Sequence, residues 1–331
     1  MRKLTALLGL AMFGFGCAQG CEDGLRRVKH NLGEICIPES PRRIAAVDLD
    51  VVALMRLLDV RPVAHVQNFY EAWLASTPEW GDGEASTERS VDVGSPANVE
   101  RLLEAKPDLI ITNDPENYAQ LNAVAPTVVF DIYAADSTNW ADFTRYMADI
   151  LNVVERAEAV VAATDRRIAS LAEGLRAGAE APVVSVVLYG EFGVLSGAPY
   201  FAYNQVMAQA GIVRPDSQTL GNDAFDAANE TYWAPLSEER LPIIDGDVLV
   251  MMLSQTPEDL AYADPLVSDI ASDPLWGALN AVRRGRFYTV PYQRWISFDP
   301  YSVNRVIDDL FVSVGGVDPA EVSPNPLLAG R

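Results

Sequence analysis

The stretch VERLLEAKPDLIIT at residues 99–112 and the stretch EERLPIIDGDVLVM at residues 238–251 follow the same pattern. In each stretch, Glu-Arg-Leu is followed by five residues, an aspartate and an aliphatic run. Asp108 and Asp247 therefore both lie eight positions after the glutamate of their pattern. The pattern predicts a short helix that leads into a buried strand, and its recurrence indicates one such unit in each half of the chain.

Strand patterns alternate with helical patterns on both sides of these stretches. RIAAVD at 43–48, PVAHV at 62–66 and TVVFD at 127–131 read as strands in the first half, and PVVSVVLYG at 182–190 and RFYTVP at 286–291 read as strands in the second half. Strands that alternate with helices imply mainly parallel sheets with covered faces. The predicted fold class is α/β, with two Rossmann-like lobes.

A helical pattern without strands separates the two halves. It covers residues 139–153 and then 154–179, with a break near Asn152. The second piece would extend about 38 Å, which is longer than a crossover helix needs to be. We therefore expect a long helix that links the two lobes.

The first residues have the pattern of an export signal. A basic start and an apolar run over residues 4–15 precede small residues around Cys17. The run is too short to be a permanent membrane helix, so we predict an exported, periplasmic protein. Two alternatives stay open for Cys17: it is the lipidated first residue of a membrane-anchored lipoprotein, or it is removed with the signal by cleavage behind Gly20.

The other two cysteines flank a hairpin pattern, RRVKHNLGEICIP at 26–38. Cys21 and Cys36 form an even pair in an exported chain, which predicts a disulfide between them. The alternative is that Cys21 carries the lipid and Cys36 is a buried free thiol.

These patterns together divide the chain into four parts. They are a signal peptide at 1–20, an N-terminal α/β lobe with a leading hairpin at 21–140, a linking helix at 141–180 and a C-terminal α/β lobe at 181–331.

Composition and motifs weigh against several functions. The formal net charge of −21 disfavours a nucleic-acid partner, which needs a basic face. The sequence lacks a P-loop, a dinucleotide-binding glycine motif and a Gly-x-Ser-x-Gly motif. Its two histidines, His30 and His65, are too few for a His-rich zinc site, so we predict no metal site. An enzyme is not expected, and an exported α/β enzyme is kept as the alternative class.

Aromatic and polar side chains recur where predicted strands end. Ligands of α/β sheets bind beyond the carboxyl ends of strands, so these side chains are candidates for an interlobe cleft, with ordinary loop packing as the alternative. Arg294 would bind an anionic ligand and stack on a ring, or else form a surface ion pair. The candidate ligand-binding residues are Asn68, Tyr70, Trp73, Tyr118, Tyr189, Tyr200, Phe201, Trp233, Tyr292, Arg294 and Trp295.

Four segments together resemble the substrate-binding proteins of ABC importers for ferric siderophores, haem and vitamin B12. The order and spacing of the segments carry the resemblance over residues 25–315, although no single segment is as specific as a metal motif. The resemblance implies the class III fold, with two lobes joined by one long helix. The segments are IPESPRRIAAVD at 37–48, VGSPANVERLLEAKPDLIIT at 93–112, LSEERLPIIDGDVLVM at 236–251 and DPLWGALNAVRRGRFYTVP at 273–291.

The resemblance also implies a function and partners. It implies a monomeric binding protein without an intrinsic cofactor, which takes an iron chelate, a ferric siderophore, into the interlobe cleft and delivers it to the transmembrane subunits of an ABC permease. Glu100 and Glu239 match the acidic residues that dock on permease arginines, whereas a helix-dipole role is the alternative for both. Hydroxamate-binding relatives carry an arginine where this chain has Gly94, so either Arg294 or Arg89 takes its place or the chelate belongs to another class. Haem or a corrinoid is the alternative ligand, and a lipid-tethered surface protein without a transport role is a further alternative.

Overall fold

The computed structural model shows two α/β lobes, each with a five-stranded sheet among the described residues, preceded by a two-stranded hairpin. The described residues are 20–66, 90–130, 139–176, 178, 180–190, 193–198, 201–219, 233–236, 238–253, 270 and 272–328. For residues 190, 236, 238–240, 291, 293 and 294 the description is limited to the backbone. Within these residues, no helix combines the length and the apolar character that a membrane span requires.

The hairpin consists of β1 (Leu25–His30) and β2 (Gly33–Pro38) in antiparallel pairing. A disulfide joins Cys21 to Cys36, with their Cα atoms 5.7 Å apart, which confirms the predicted pairing. The bridge ties the first described residues to the second hairpin strand.

The N-terminal lobe is built on a parallel sheet with the strand order β5-β4-β3-β6-β7. Its central strands are almost wholly buried, because helices cover both faces of the sheet. The strands are β3 (Ile44–Val47), β4 (Ala64–His65), β5 (Val91–Asp92), β6 (Leu109–Thr112) and β7 (Thr127–Val129), and the helices are α1 (Leu49–Leu57), α2 (Val99–Ala105) and α3 (Tyr118–Asn122).

Two consecutive helices lead from the first lobe to the second. They are α4 (Trp140–Leu151) and α5 (Val154–Arg176). Asn152 ends α4 in the left-handed conformation, with φ 58°, so the break predicted near this residue is present. The 23 residues of α5 extend about 35 Å and form the predicted linking helix.

The C-terminal lobe has a mixed sheet with the order β10-β9-β8-β11-β12. Strands β8, β11 and β12 are parallel, whereas β9 runs antiparallel to both of its neighbours. The strands are β8 (Val184–Gly190), β9 (Gly193–Gly197), β10 (Trp233–Leu236), β11 (Val248–Leu253) and β12 (Phe287–Pro291). The helices are α6 (Ala202–Gln209), α7 (Pro274–Gly277), α8 (Asn280–Arg283), α9 (Tyr292–Ile296) and α10 (Pro300–Ser313), with 3-10 helices at Asp216–Gln218, Glu238–Ile244 and Pro319–Glu321.

The repeated sequence pattern occupies equivalent places in the two lobes. The N–H of Asp108 donates to the carbonyl oxygen of Arg43 at 2.8 Å, and its carboxylate accepts the N–H groups of Arg42 and Arg43, each at 2.9 Å. The N–H of Asp247 donates to the carbonyl oxygen of Val183 at 2.7 Å, and its carboxylate accepts the N–H of Val183 at 3.0 Å. Each aspartate thus clamps the amino end of the lobe's first strand to the strand that follows the helix.

The leucine of each pattern anchors the helix that precedes the clamp. Leu102 on α2 is fully buried, and Leu241 in the 3-10 helix Glu238–Ile244 is nearly so. The second helix is tighter than the first and contains Pro242, which cannot donate a backbone hydrogen bond. The same sequence pattern therefore leads into the strand through an α-helix in the first lobe and through a 3-10 helix in the second lobe.

One continuous hydrophobic cluster runs through both lobes. It includes Leu54 on α1, Phe143 on α4, Val161 on α5, Val250 on β11 and Leu310 on α10. Helix α10 of the second lobe packs against α5, α4 and α1. The linking helix is therefore one part of a packed junction, which the sequence patterns did not predict.

We expect Asp108→Ala and Asp247→Ala each to lower the free energy of unfolding by about 1–2 kcal/mol. Each change removes hydrogen bonds that backbone N–H groups donate to a carboxylate, and the effects should add because the sites lie in different lobes. Urea denaturation of both single variants and the double variant measures this, with Glu104→Gln on α2 as a surface control. Losses no larger than that of the control would contradict the clamp.

Candidate ligand site

A cavity of about 240 Å³ lies at the carboxyl edge of the N-terminal sheet. Strands β3 to β6 are parallel, so their carboxyl ends meet at this edge, which is where α/β sheets bind ligands. The polar side chains of the lining are Asp48, Ser95, Asn113 and Asp114. This part of the cavity lining is therefore polar, and two of its four side chains are acidic.

Backbone N–H groups hold the two carboxylates of this lining. Asp48 caps α1 by accepting the N–H of Val51 at 3.1 Å, and Asp114 accepts the N–H of Glu116 at 2.8 Å. Burial raises the pKa of Asp48 to about 6, and its backbone hydrogen bonds act in the opposite direction. The pKa of Asp48 therefore lies just below neutral pH.

An aromatic ladder, which consists of Phe201, Tyr203, Trp233, Tyr292 and Trp295, lies in the C-terminal lobe. Ring centroids are 5.1 Å apart for Phe201 and Trp233, and 5.8 Å apart for Trp233 and Tyr292. At the inner end, Tyr203 lies 5.9 Å from Phe201 and 5.8 Å from Trp295. Trp233 and Tyr292 are half-buried, so the ladder keeps accessible ring surface at this end.

Gly197 on β9 makes room for the ladder. A Cβ at this position would meet Trp233 at 2.9 Å and Phe201 at 3.0 Å, and it would clash with the hydroxyl of Tyr203. Any larger residue would push these rings away from the strand. A glycine at this position is therefore a packing requirement of the ladder.

A buried arginine lies behind the ladder. The guanidinium of Arg214 is 5.7 Å from the centroid of Tyr203, and it donates to the carbonyl oxygen of Val186 at 3.1 Å and to the side chains of Gln218 and Asn204. Burial lowers the pKa of Arg214 and raises that of Tyr203. All of these hydrogen-bond acceptors are neutral. A buried charge that has no carboxylate partner needs such hydrogen bonds, because leaving it without them costs free energy.

The elements that carry the cavity and the ladder are connected at the junction between the lobes. Asp50 lies on α1, two residues after the cavity residue Asp48, and its carboxylate accepts the N–H of Phe298 at 3.3 Å. Phe298 follows α9, the short helix that carries Tyr292 and Trp295 of the ladder. One hydrogen bond therefore joins the helix that follows the cavity residue Asp48 to the residue that lies two positions after α9.

The predicted ligand-binding residues fall into different environments. Trp233 and Tyr292 come together, as an interlobe aromatic wall requires. Phe201 is 1% exposed and Trp295 is fully buried, and the Trp295 indole donates to Asp309 at 2.8 Å. Both rings are buried in the core, where they pack against other rings of the ladder, so their contact with a ligand stays a prediction.

Two other predicted tyrosines lie apart from the ladder. Tyr118 begins α3, and its ring lies 5.4 Å from that of His30 on the hairpin. Tyr189 is the penultimate residue of β8 and meets Trp276 edge-on at 5.7 Å, on the other face of the sheet. Both rings are half-buried and pack within their own lobes.

The remaining predictions are only partly covered by the structure. Glu100 is exposed in the first turn of α2. Glu239 belongs to the 3-10 helix Glu238–Ile244, and Arg294 belongs to α9, but their side chains lie outside the described residues. The other predicted positions that lie outside the description are Cys17, Asn68, Tyr70, Trp73 and Tyr200.

Sequence reasoning missed the acidic residues at the junction. Asp48, Asp50 and Asp299 lie at helix starts, where an aspartate is ordinarily a capping residue, and acidic residues are too frequent in this chain for three of them to stand out. Arg214 was also missed, because it follows a strand-like segment with no motif around it. Within the described part of the chain, no group of three or more His, Cys, Asp or Glu residues is arranged to hold a metal ion.

Known proteins resemble the chain over most of its length. Residues 44–293 match the model of the family described as periplasmic binding protein. The "Probable siderophore-binding lipoprotein YfiY" of Bacillus subtilis is 27% identical over 297 residues, which is 86% of each chain. The "Ferric-anguibactin-binding protein FatB" of Vibrio anguillarum is 25% identical over 300 residues, which is 86% of this chain and 85% of that protein.

Solved structures share the fold. The structure of Staphylococcus aureus SirA complexed with staphyloferrin B has a TM-score of 0.69 at 21% identity, and the match covers 88% of this chain and 99% of SirA. At this identity the likeness concerns the arrangement of lobes and helices. Because the family model spans most of the chain, the chain belongs to the periplasmic binding protein family, whose members bind solutes and are not enzymes.

Proposed function

We propose that this chain is the exported solute-binding component of an ABC importer and that it carries a ferric siderophore between its two lobes. The observation that carries the proposal is a cavity with acidic lining residues at the carboxyl edge of the parallel sheet of the first lobe, and a partly exposed pair of aromatic rings in the second lobe supports it. Such a site buries a large ligand against rings and orients it with a few polar groups. The relatives named for siderophore binding support the same ligand class.

The proposed ligand brings its own iron. The siderophore supplies the ligands of the ferric ion, so the protein needs only to recognise the outer surface of the chelate. We therefore propose a binding site without a resident cofactor, in a chain that works as a monomer.

The position of Gly94 bears on the class of chelate. Gly94 has φ +71°, and its N–H donates to the carboxylate of Asp92 at 2.8 Å. An L side chain is strained in this backbone conformation, so this turn is poorly suited to present an arginine. This position is therefore unsuited to the arginine that hydroxamate-binding relatives carry, and the class of chelate stays open.

We propose that Glu100 and Glu239 dock the two lobes on the permease. Glu100 is exposed at the start of α2, and Glu239 lies at the equivalent position of the second repeat. A pair of acidic groups on two lobes would match basic groups on the two halves of a permease. The lipoprotein relative supports an anchor at Cys17, and mass spectrometry of the mature chain distinguishes it from a chain that starts at Cys21.

Titration with ferric siderophores should quench the tryptophan fluorescence saturably, and Trp233→Phe should weaken binding by about threefold to tenfold. The reason is that Phe keeps an aromatic ring but offers less surface than the indole of Trp233 at the open end of the ladder, and buried apolar surface contributes about 25 cal/mol per Å². Intrinsic fluorescence with a panel of ferric siderophores, haem and cobalamin measures both effects.

The matched control is Trp276→Phe, because Trp276 packs against Tyr189 on the other face of the same sheet. This variant should bind as the wild-type protein does. Equal losses in the two variants would argue against the ladder as a ligand wall. Saturable binding of haem or cobalamin alone would replace the siderophore as the ligand class, and no saturable binding in the panel would refute the proposal.

The double variant Glu100→Gln/Glu239→Gln should keep its ligand affinity and lose more than about tenfold in ligand uptake. Removal of charged partners from a docking interface costs binding energy there, whereas the ligand site is unchanged. Uptake of radiolabelled ferric siderophore into cells that carry the cognate permease measures the first effect, and fluorescence titration measures the second.

The control is Glu155→Gln, which removes a glutamate from the first turn of α5. Glu155 interacts with a helix dipole as Glu100 does, and this interaction is worth about 0.3–1 kcal/mol. No contact between Glu155 and the permease is predicted. If this variant impaired uptake equally, or if the double variant transported normally, Glu100 and Glu239 would have only the helix-dipole role.

A further inference from the structure

Two helices from different lobes begin at the same place in the junction. Asp48 caps α1 of the first lobe through the N–H of Val51. Asp299 caps α10 of the second lobe, and its Oδ1 accepts the N–H groups of Tyr301 at 2.9 Å and Ser302 at 3.1 Å. The hydrogen bond from Phe298 to Asp50 crosses between these helix starts. Asp50 of the first lobe therefore lies against the segment that starts α10, where the charges of both Asp48 and Asp299 act on it.

These carboxyl groups are poorly placed to be ionised together. Asp299 is fully buried and Asp50 is 7% exposed. Oδ2 of Asp299 has no hydrogen-bond partner among the described residues. An ionised carboxylate that is removed from water is costly, and each like charge nearby adds to the cost. The folded junction is therefore more stable when at least one of the three carboxyl groups stays protonated.

The groups that face the cluster are acidic or neutral. Asp48 and Asp50 come from α1, Ser297 and Asp299 from the segment before α10, and Ser302 from its first turn. Among the described side chains, no lysine or arginine forms an ion pair with any of the three aspartates. On the packed helices α5 and α10, the guanidiniums of Arg167 and Arg305 both pair with Asp308, which lies about 13 Å along α10 from Asp299.

We propose that Asp48, Asp50 and Asp299 form a proton-operated junction that holds the two lobes together when protonated and loosens them when it ionises. Asp50 and Asp299 belong to different lobes, so the repulsion between their charges acts across the lobe boundary. Asp48 lines the candidate cavity, so the same change reaches the ligand site. The junction would thus make closure of the cleft depend on the pH outside the cell.

The direction of the pH dependence follows from the pKa shifts. Burial, and then the charges of Asp48 and Asp299, raise the pKa of Asp50 well above its ordinary value. Burial also raises the pKa of Asp299 and brings that of Asp48 to about 6. A raised carboxyl pKa stabilises the folded junction most below the ordinary pKa near 3.8, and this stabilisation is lost as the pH rises through the folded pKa. The junction should therefore be tight in acid, and it should loosen as the pH rises through the pKa of Asp48, about 6, and through the raised pKa values of Asp50 and Asp299.

Amide hydrogen exchange tests the proposal without any ligand. After correction for intrinsic rates, protection of residues 48–54 and 298–304 should fall by about tenfold or more between about pH 5 and about pH 8. Strand β11 at 248–253 lies inside the second lobe and should show no such change. Because the readout needs neither siderophore nor permease, its result is independent of the proposed transport function.

Isosteric variants identify the groups responsible. Asp50→Asn keeps an oxygen that accepts the N–H of Phe298, and Asp299→Asn keeps a good N-cap, while each removes one charge. Both variants should retain high protection of the junction at about pH 8. If Asp50→Asn does not fold, Asp299→Asn and Asp48→Asn answer the same question. The matched control is Asp273→Asn, which removes a charge from the N-cap of α7 and should keep the wild-type pH dependence.

Equal protection of the wild-type junction at the two pH values would overturn the proposal. The proposal would also be overturned if protection fell with pH in Asp50→Asn and Asp299→Asn as it does in the wild-type protein. Another titrating group would then cause the change. A change of the same size in β11 would also overturn it, because the pH would then destabilise the whole chain and not the junction. Protection that becomes independent of pH in these variants, with Asp273→Asn unchanged, is the supporting result.

Discussion

The hydrogen bonds of one aspartate in each lobe set the pairing of the central parallel strands. Asp108 clamps β6 to the residues before β3, and Asp247 clamps β11 to the residue before β8. A shift of one residue in this pairing would turn every side chain to the opposite face. With the pairing set, Ile110 and Ile111 point to two different hydrophobic clusters. The amino ends of the strands are thereby aligned, and so are the carboxyl ends, where the candidate cavity lies.

The shared core joins the two lobes into one packed unit. Helix α10 leaves the second lobe and packs against helices of the first, so the lobes have no separate cores on this side. A junction of this kind resists large hinge motions, because opening it would expose buried apolar surface. The weak point is its polar end, where three carboxyl groups replace apolar contacts. Small changes of charge there can act on a junction that is otherwise held by packing.

The candidate site was predictable at the level of regions and less so at the level of residues. Aromatic residues near strand ends were expected to line a cleft, and Trp233 and Tyr292 do come together. Phe201 and Trp295 carry the same local signal but face the core. A strand end places a residue near the edge of a sheet, whereas the rotation of the following turn decides which way its ring points. That rotation depends on contacts such as the close approach at Gly197, which have no signature in the local sequence.

For Cys21 the sequence predicted a disulfide with Cys36 and left lipidation open, and the structure shows the disulfide. The amino-acid sequence by itself determined the α/β class, the two similar units and the linking helix with its break at Asn152. These features are local or periodic, so spacing along the chain is enough to specify them. Only the tertiary structure decided that the starts of α1 and α10 meet, since Asp50 and Phe298 are 248 residues apart. Ordinary capping aspartates became a buried acidic junction through this meeting. The physical reason is that burial and mutual repulsion arise from contacts in space, and neither is encoded in the neighbours of a residue along the chain.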